Sequence, residues 1–302
     1  MMDEFERFLA VAEAGNVSRA AAVLNLSQPA LSRSISILEL RFKTQLFRRT
    51  SAGVELTSAG RTLYQYASRA LRTIRDAEER IIYDAIGGNL TLRICAGDTW
   101  GYTILPEIVA EFRVTRPNVL VTLDVVNHDT RVNGIKSGEY DLAYGIVSPS
   151  YDYGSTQQFE PMIAAQYQVY CREGHPLRKK PIVSADDLDA EGWIRHVFEY
   201  DHDPNRWKVT KRNYAVATNR MTSTVELIRN TDLLMSTSIL FERLFVKHAV
   251  VGLCLDPIST AMISGALFLR SDLVKPVTKQ FQTLCKRRCI ERFPSHFVKP
   301  NS

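Results

Sequence analysis

The chain has 302 residues, of which 45% are hydrophobic, so it can bury substantial cores and divide into two domains. Its formal net charge of +5 permits an anionic partner without requiring one. The first residues lack a basic segment that leads into an apolar stretch, and no window comes near the roughly 18 uncharged apolar residues of a membrane span. We therefore expect a soluble, cytoplasmic protein without a secretory signal.

The N-terminal segment predicts two short helices. In residues 3–14 the apolar side chains recur at helical spacing, and Gly15 follows as a helix-ending residue. Ser18 is a suitable N-cap for a second helix that runs to Leu24, and residues 25–27 make a turn.

A third amphipathic helix follows, with Ser27 as its N-cap and Pro29 in its first turn. Its expected buried stripe consists of Leu31, Ile35, Leu38 and Phe42. The opposite face shows Gln28, Ser32, Arg33 and Ser36. Two short helices joined by a tight turn form a helix-turn-helix, and short polar side chains let the second helix lie deep in the major groove of DNA. Glutamine can read adenine there, and arginine can take guanine or a phosphate.

Basic residues continue beyond this helix into a predicted two-stranded wing. Five basic residues face one acid between Ser27 and Thr50. Gly53 marks a turn, and Arg48 and Arg49 precede it, where they can hold phosphates or enter a minor groove. The alternative is that these arginines are merely solvated. The candidate DNA-binding residues are Ser18, Gln28, Pro29, Ser32, Arg33, Ser36, Arg48 and Arg49.

A long helix is predicted from Thr57, as N-cap, to about Ala85. Its apolar residues alternate at spacings of four and three, in a heptad seam of Leu63, Ala67, Ala70, Ile74, Ala77 and Ile81. An ordinary core helix could show the same spacing, but no core-forming segment flanks it. We therefore expect this helix to form a dimer.

Residues 87–89 break the helix, and the pattern changes to alternating strands and helices. The first series has strands at 90–95, 119–126 and 141–146, with helices at 102–115 and near 130–137. Such βαβαβ units bind ligands at the carboxyl ends of their strands. A second series has strands at 166–172, 232–236 and 265–271, and helices at 221–230, up to about 248, and 277–288.

The stretch "AVAEAGNVSRAAAVLNLSQPALSRSISILE", followed by "LFRR" and "LTSAG", resembles the N-terminal domain of the LysR-type transcriptional regulators. The segments "ILPEIVAEF", "RPNVLVTL", "GEYDLAYGI" and "CREGHPL" extend the likeness over nearly the whole chain. One departure is Lys43, which stands where the family usually has glycine. Lys43 could contact a phosphate or stabilise the helix C-terminus electrostatically.

The resemblance implies an α/β fold with an N-terminal α+β winged helix-turn-helix at residues 1–57 and a dimerising linker helix at 58–87. It implies a two-lobed effector domain at 88–302, like a periplasmic binding protein. Lobe I would comprise residues 88–162 and 265–302, and lobe II residues 163–264, with crossings near 162 and 265. The implied partners are double-stranded promoter DNA, a small-molecule effector, and further copies of the chain in a dimer or tetramer. RNA polymerase is a partner that the resemblance also allows, and no membrane is implied.

The same resemblance assigns the effector to the cleft between the lobes. Thr99 matches a hydroxyl residue that often holds the effector, and His128 matches a second pocket residue. Their neighbours are Asp98, Trp100 and Asn127. The resemblance implies that many relatives bind carboxylates, yet an acid at Asp98 that faces the cleft would oppose an anion. Because Trp100 offers a stacking face and Asp98 can accept hydrogen bonds from hydroxyls, we expect a neutral polyhydroxylated or cationic effector. Against this, Asp98 could cap a helix, Trp100 could belong to the core, and His128 could lie on the surface.

Catalysis is not expected, because the sequence shows no nucleophile elbow, Walker A loop, dinucleotide fingerprint or metal cluster. No catalytic residue, metal ligand or cofactor is assigned. Two alternatives remain: a redox-sensing regulator that acts through cysteines, and a solute-binding protein. Cys95, Cys171, Cys254, Cys285 and Cys289 are odd in number and mostly far apart, which disfavours a disulfide framework.

Overall fold

The computed structural model describes residues 2–51, 53–86, 90–146, 156–196, 212–255, 261–270 and 275–298. It divides into two units, residues 1–90 with 136–139 and residues 91–135 with 140–302. The predicted helix break at residues 87–89 lies outside the described residues. None of the described helices is long and apolar enough to span a membrane.

The first unit begins with three helices, α1 (Met2–Ala14), α2 (Val17–Val23) and α3 (Gln28–Phe42). Gly15 ends α1 with a left-handed backbone. Asn16, rather than the expected Ser18, caps α2 by accepting a hydrogen bond from the Arg19 backbone N–H at 3.1 Å. The three helices share one hydrophobic core, whose fully buried members include Phe8, Val11, Ala20, Leu31 and Leu38.

Helix α3 begins as predicted and ends differently. Ser27 caps it by accepting from the Ala30 N–H at 3.3 Å, and Pro29 lies in its first turn. Phe42 was expected in the buried stripe but is 43% exposed. Helix α3 ends at this residue, and its last buried position is Leu38. Lys43 adopts the left-handed conformation with φ 52°, so this lysine ends the helix in the way that glycine usually does.

A two-stranded wing and a long helix complete the first unit. Strands β1 (Phe47–Thr50) and β2 (Gly53–Leu56) pair antiparallel, with Phe47 opposite Leu56. Helix α4 spans Ser58–Ile86 and follows Thr57. The Thr57 hydroxyl donates to the Gln45 carbonyl at 2.7 Å and accepts from the Gly60 N–H at 3.0 Å, so it connects the wing to the first turn of α4.

The second unit contains a five-stranded sheet in the order β4-β3-β5-β12-β6. The strands are β3 (Leu90–Ala96), β4 (Val119–Val125), β5 (Leu142–Ile146), β6 (Gln157–Ala165) and β12 (Met262–Leu269). Strands β3 and β5 run parallel, whereas β12 is antiparallel to both β5 and β6. The helices of this part are α5 (Leu105–Thr115), α6 (His128–Ser137) and α10 (Pro276–Arg292), and a π-helical turn at Thr99–Ile104 precedes α5.

A second group of strands follows β6 along the chain. It consists of β7 (Tyr167–Arg172), β8 (Gly192–His196), β9 (Asn213–Thr218), β10 (Met235–Ser238) and β11 (Val250–Gly252). Strand β7 lies between β10 and β11, while β8 pairs parallel with β9. The associated helices are α7 (Ala185–Asp189), α8 (Met221–Asn230) and α9 (Glu242–Phe245). Trp193, Tyr170, Phe241 and Phe245 are among the buried residues of this part.

The chain passes from the five-stranded sheet to the second group at Gln166, between β6 and β7, and it has returned by Met262. We call the five-stranded sheet with its helices lobe I and the second group lobe II. The crossings predicted near residues 162 and 265 fall within β6 and β12. The domain boundaries proposed from the sequence stay a prediction.

Candidate functional site

Helix α3 is held by buried residues on one side and presents a polar face on the other. Leu31 and Leu38 are fully buried, and the Arg7 guanidinium donates to the buried Ser34 hydroxyl at 2.8 Å. No spacing along the sequence indicated this Arg7–Ser34 contact. It fixes the rotation of α3 about its axis, because Ser34 lies on the inner side of the helix.

The outer face of α3 carries the predicted DNA-binding residues. Gln28, Pro29, Arg33 and Ser36 are exposed, and Ser32 is half-buried. In the part of the chain that the structure describes, the Gln28 and Arg33 side chains form no hydrogen bond or ion pair within the protein. Ser18, also exposed, lies on α2. The structure therefore brings most of these residues to one rigid, available surface.

Glu39 connects α3 to the wing. Its half-buried carboxylate accepts hydrogen bonds from the backbone N–H groups of Leu46 and Phe47, at 2.7 and 3.2 Å. These two charge-assisted bonds place β1 relative to the end of α3. Glu39 lies in the stretch that resembles a known family, but its position in the sequence did not indicate that it contacts the wing.

The two wing arginines differ in their partners. Arg48 donates to the Glu55 carboxylate at 2.6 Å across the β1–β2 pair, and both side chains are more than half exposed. Arg49 is exposed and forms no ion pair with the residues that the structure describes. Of the two wing arginines, Arg49 is therefore the one whose charge no described carboxylate offsets.

A narrow cavity lies in the second unit beside the carboxyl ends of β3 and β5. Its volume is about 50 Å³, which is space for a few water molecules. Lobe I contributes Gly97, Asp98, Thr99, Trp100 and Arg131 to its lining. Lobe II contributes Tyr167, Thr237, Ser238 and Leu240. The cavity therefore lies between the lobes, and its walls carry hydroxyl groups from both.

Three of the predicted effector residues lie together in this cavity, namely Asp98, Thr99 and Trp100. Asn127 and His128 are not among its lining residues. The Asn127 side-chain oxygen Oδ1 instead accepts from the Thr130 backbone N–H at 2.8 Å, and His128 is the half-buried first residue of α6. The assignment of these two residues to the effector stays a prediction.

Trp100 belongs to the core, although it lines the cavity. It is 1% exposed, its indole N–H donates to the Ser264 hydroxyl at 2.9 Å, and its ring lies 4.9 Å from that of Tyr144. Since the ring is already packed and its N–H is bonded, Trp100 shapes the wall of the cavity and has no open stacking face.

The cavity also contains a buried arginine that was not predicted from the sequence. Arg131, on α6, is 6% exposed and donates to the carbonyls of Val126 at 3.0 Å and Ile146 at 3.1 Å. Sequence pattern gave no signal for it, because an arginine on a short polar helix ordinarily points into solvent.

The cysteines lie mostly in the core. Cys95, Cys171, Cys285 and Cys289 are buried, whereas Cys254 is exposed. Burial raises the pKa of Cys171 to about 11, and burial also raises the pKa of Cys285 well above its usual value. The reactive form of cysteine is the thiolate, so these buried thiols are poorly suited to sense oxidants.

We expect one thiol per chain to react quickly with Ellman's reagent at pH 7 in the native protein. Cys254→Ser should abolish the fast phase, because Cys254 is the exposed cysteine, and Cys171→Ser should leave it unchanged. A stopped-flow absorbance trace measures both. A second fast phase that disappears in Cys171→Ser would instead favour the redox-sensing alternative.

Comparison with known proteins agrees with this architecture. Residues 2–61 match the family described as bacterial regulatory helix-turn-helix protein, lysR family, and residues 87–287 match the LysR substrate binding domain. The chain is 29% identical over 182 residues to the uncharacterized HTH-type transcriptional regulator YdcI of Escherichia coli strain K12, covering 60% of this chain and 59% of YdcI. It is 32% identical over 146 residues to the HTH-type transcriptional regulator TfdT of Cupriavidus pinatubonensis, covering 48% of this chain and 64% of TfdT.

The chain spans about three fifths of the length of the curated relatives that it matches. Among solved structures, CbnR, a LysR family transcriptional regulator, superposes with a TM-score of 0.63 at 19% identity, over 96% of this chain and 99% of CbnR. This likeness shows a shared fold. Together with the two family matches, which cover most of the sequence, it leads to one conclusion: the chain belongs to the LysR family of bacterial regulatory helix-turn-helix proteins.

Proposed function

We propose that this protein is a sequence-specific DNA-binding transcription regulator of LysR type, controlled by a small molecule in the cleft between its lobes. The observation that carries the proposal is the outer face of α3. Buried residues hold this helix rigidly, yet Gln28 and Arg33 extend from it without partners among the described residues. Such side chains on the second helix of a helix-turn-helix can read base edges in the major groove.

The wing supports the same proposal. Arg49 adds an exposed positive charge to the DNA-binding side, and Glu39 keeps the wing close to the end of α3. A DNA complex of full-length CbnR, whose chain superposes on this one with a TM-score of 0.61, is a precedent within the fold. In our proposal Gln28, Pro29, Ser32, Arg33 and Ser36 contact bases or the backbone beside them, and Ser18, Arg48 and Arg49 contact the backbone.

Pairing of two chains would place two recognition helices on one face of the DNA. Ala70, Ala77 and Ile81 of the predicted seam are exposed on α4, and Ile81 is 68% exposed. Ala67 of the seam is buried within the chain and Leu63 packs against its N-terminal core, so we propose that α4 pairs with a second copy through the exposed residues of the seam. The half-sites would then lie about 34 to 36 Å apart.

We propose that residues 1–57 bind DNA, that residues 58–87 link and dimerise, and that residues 88–302 bind the effector. A ligand that joins the two lobes shifts the protein between two assemblies only if it binds them with different affinity. The proposed location is the cytoplasm, where promoter DNA is accessible, and the proposed role involves no catalysis. A solute-binding role would leave the polar face of α3 without a task.

The salt dependence of DNA binding tests whether the wing binds phosphates. Arg49→Ala should weaken binding to specific and random DNA alike, and it should reduce the slope of log K against log salt by about one unit. Arg48→Ala should reduce the slope less, because Glu55 already neutralises Arg48. Fluorescence anisotropy titrations at several salt concentrations measure the slope.

Glu55→Gln is the matched control, since it should release Arg48 and strengthen binding to both kinds of DNA. Identical slopes for the wild type and all three variants would contradict a role of the wing in phosphate binding.

A further inference from the structure

Helix α3 carries an apolar side chain on its outer face, beside the polar residues proposed to contact DNA. Ile37 is 48% exposed and directly follows the exposed Ser36. The described residues that pack against the core of the N-terminal unit do not include Ile37. Isoleucine is also a weaker helix former than lysine or glutamate. Neither core packing nor helix propensity therefore accounts for an isoleucine at this position.

The direction of the Ile37 side chain follows from its place relative to Arg33. The two residues are four apart, so they are neighbours on the surface of the helix. The Cα–Cβ bonds of a helix tilt towards its N-terminus, so the Ile37 side chain leans over the turn that carries Arg33. The hydrogen bond from Arg7 to Ser34 fixes the rotation of α3, which keeps Arg33 and Ile37 on the outer face.

Small neighbours leave Ile37 accessible to a flat partner. Ala30 lies two turns earlier on the same side of α3, Ser36 precedes Ile37, and both are exposed. Neither side chain extends as far as the isoleucine, so a helix that enters the major groove brings the Ile37 methyl groups towards the base edges. The χ1 torsion of a β-branched residue is already restricted, so Ile37 loses little conformational freedom on contact.

Thymine offers an apolar group at the major-groove edge of a base pair, its C5-methyl. A helix rises about 6 Å over four residues, and stacked base pairs lie about 3.4 Å apart. Side chains at positions 33 and 37 can therefore reach base pairs that are one or two steps apart.

We propose that Ile37 is a specificity-determining residue that packs against the C5-methyl group of a thymine, one or two base pairs from the base that Arg33 contacts. This inference rests on the proposed function, because it requires α3 to lie in the major groove. It adds an apolar contact to the polar ones, and it predicts that one position of each half-site requires the thymine methyl group.

Replacement of thymine by deoxyuridine tests the proposal, because it removes the C5-methyl group and keeps the base-pair hydrogen bonds. The probe is the duplex that the wild-type protein enriches from random sequences, with each thymine replaced in turn at equivalent positions of both half-sites. Anisotropy titrations at matched salt give the affinities. We expect deoxyuridine at one position to weaken wild-type binding about three- to fivefold per half-site, the effect of one buried methyl group.

Three variants locate the contact. Ile37→Ala should weaken binding to the thymine duplex by a similar factor, and it should bind the thymine and deoxyuridine duplexes equally at that position. Ile37→Val should keep the difference, because valine retains both branches at Cβ. Leu40→Ala is the matched control. Leu40 is 79% exposed but lies about one turn closer to the C-terminus of α3, so its removal should leave the methyl effect unchanged.

The possible outcomes separate this proposal from the proposed function. Wild-type binding that is insensitive to deoxyuridine at every position, or an Ile37→Ala variant with the full wild-type sensitivity, would overturn the role of Ile37 and leave the regulator intact. Unchanged DNA binding by Ile37→Ala would also overturn that role and would favour a protein contact at this face of α3. A wild-type protein that enriches no sequence would reject both proposals.

Discussion

The substitution Gly60→Ala should destabilise the N-terminal unit by roughly 3 kcal/mol. A Cβ atom there would lie 2.0 Å from the carbonyl oxygen of Leu46, which is backbone and cannot rotate away. The same carbonyl accepts the Thr57 N–H at 2.9 Å, so the wing and the start of α4 would have to separate. Urea denaturation followed by circular dichroism measures the loss as a lower transition midpoint.

Ser58→Ala is the matched control, because Ser58 is exposed in the same helical turn and should change stability by no more than about 0.5 kcal/mol. Equal urea transition midpoints for Gly60→Ala and Ser58→Ala would contradict the close approach of α4 to Leu46. These contacts also explain the spacing in "LTSAG". Thr57 provides a hydroxyl and Gly60 provides space at the junction between the wing and α4.

Arg33→Ala should weaken specific DNA binding by about 1 to 3 kcal/mol, or roughly 5- to 150-fold, and relax the preference at one base position. Arg33 is exposed on α3 and has no competing partner among the described residues, so its guanidinium is available to a base edge. Binding to random DNA should fall much less. Anisotropy with the preferred site and with single-base variants of that site measures the difference.

Arg41→Ala is a charge-matched control on the same helix. Arg41 lies near the C-terminus of α3 and is 3.8 Å from the Glu4 carboxylate, so its removal should change specific binding less. Equal losses on specific and random DNA for Arg33→Ala would refute base reading by this residue, although phosphate contact would remain.

The predicted fold class, a winged helix-turn-helix followed by a two-lobed α/β domain, is confirmed. Elements with strong local signals were predicted well. Ser27 and Pro29 mark the start of α3, and helix α8 has the predicted bounds of 221–230. Periodicity and capping are local properties, so they can be recognised without knowledge of the tertiary structure.

The sequence did not predict the elements that depend on tertiary contacts. Strand β6 contains Pro161, which argues locally against a strand, yet β12 pairs with it over its whole length. Strands β8 and β9 were not recognised either. Phe42 was placed in the core because its spacing continued the stripe, but the left-handed Lys43 follows it and the helix ends there.

The candidate cleft was only partly accessible to sequence reasoning. Asp98, Thr99 and Trp100 are consecutive and follow a predicted strand, so the rule for strand carboxyl ends located them. Arg131, Tyr167 and Thr237 come from three separate elements that the sheet topology brings together. No spacing along the chain relates these three residues. The room for the Arg131 guanidinium depends on Gly97 and Gly145, where a Cβ atom would lie 3.0 and 2.9 Å from it.

The most direct test of the central claim is an anisotropy comparison of the purified protein on its own upstream intergenic DNA and on random DNA of equal length, at matched salt. We expect a clear preference for the upstream fragment that is lost in the double variant Ser32→Ala with Arg33→Ala, because α3 reads the bases. No preference at any salt concentration, followed by failure to enrich a site from random sequences, would contradict the assignment of α3 as a DNA-reading helix.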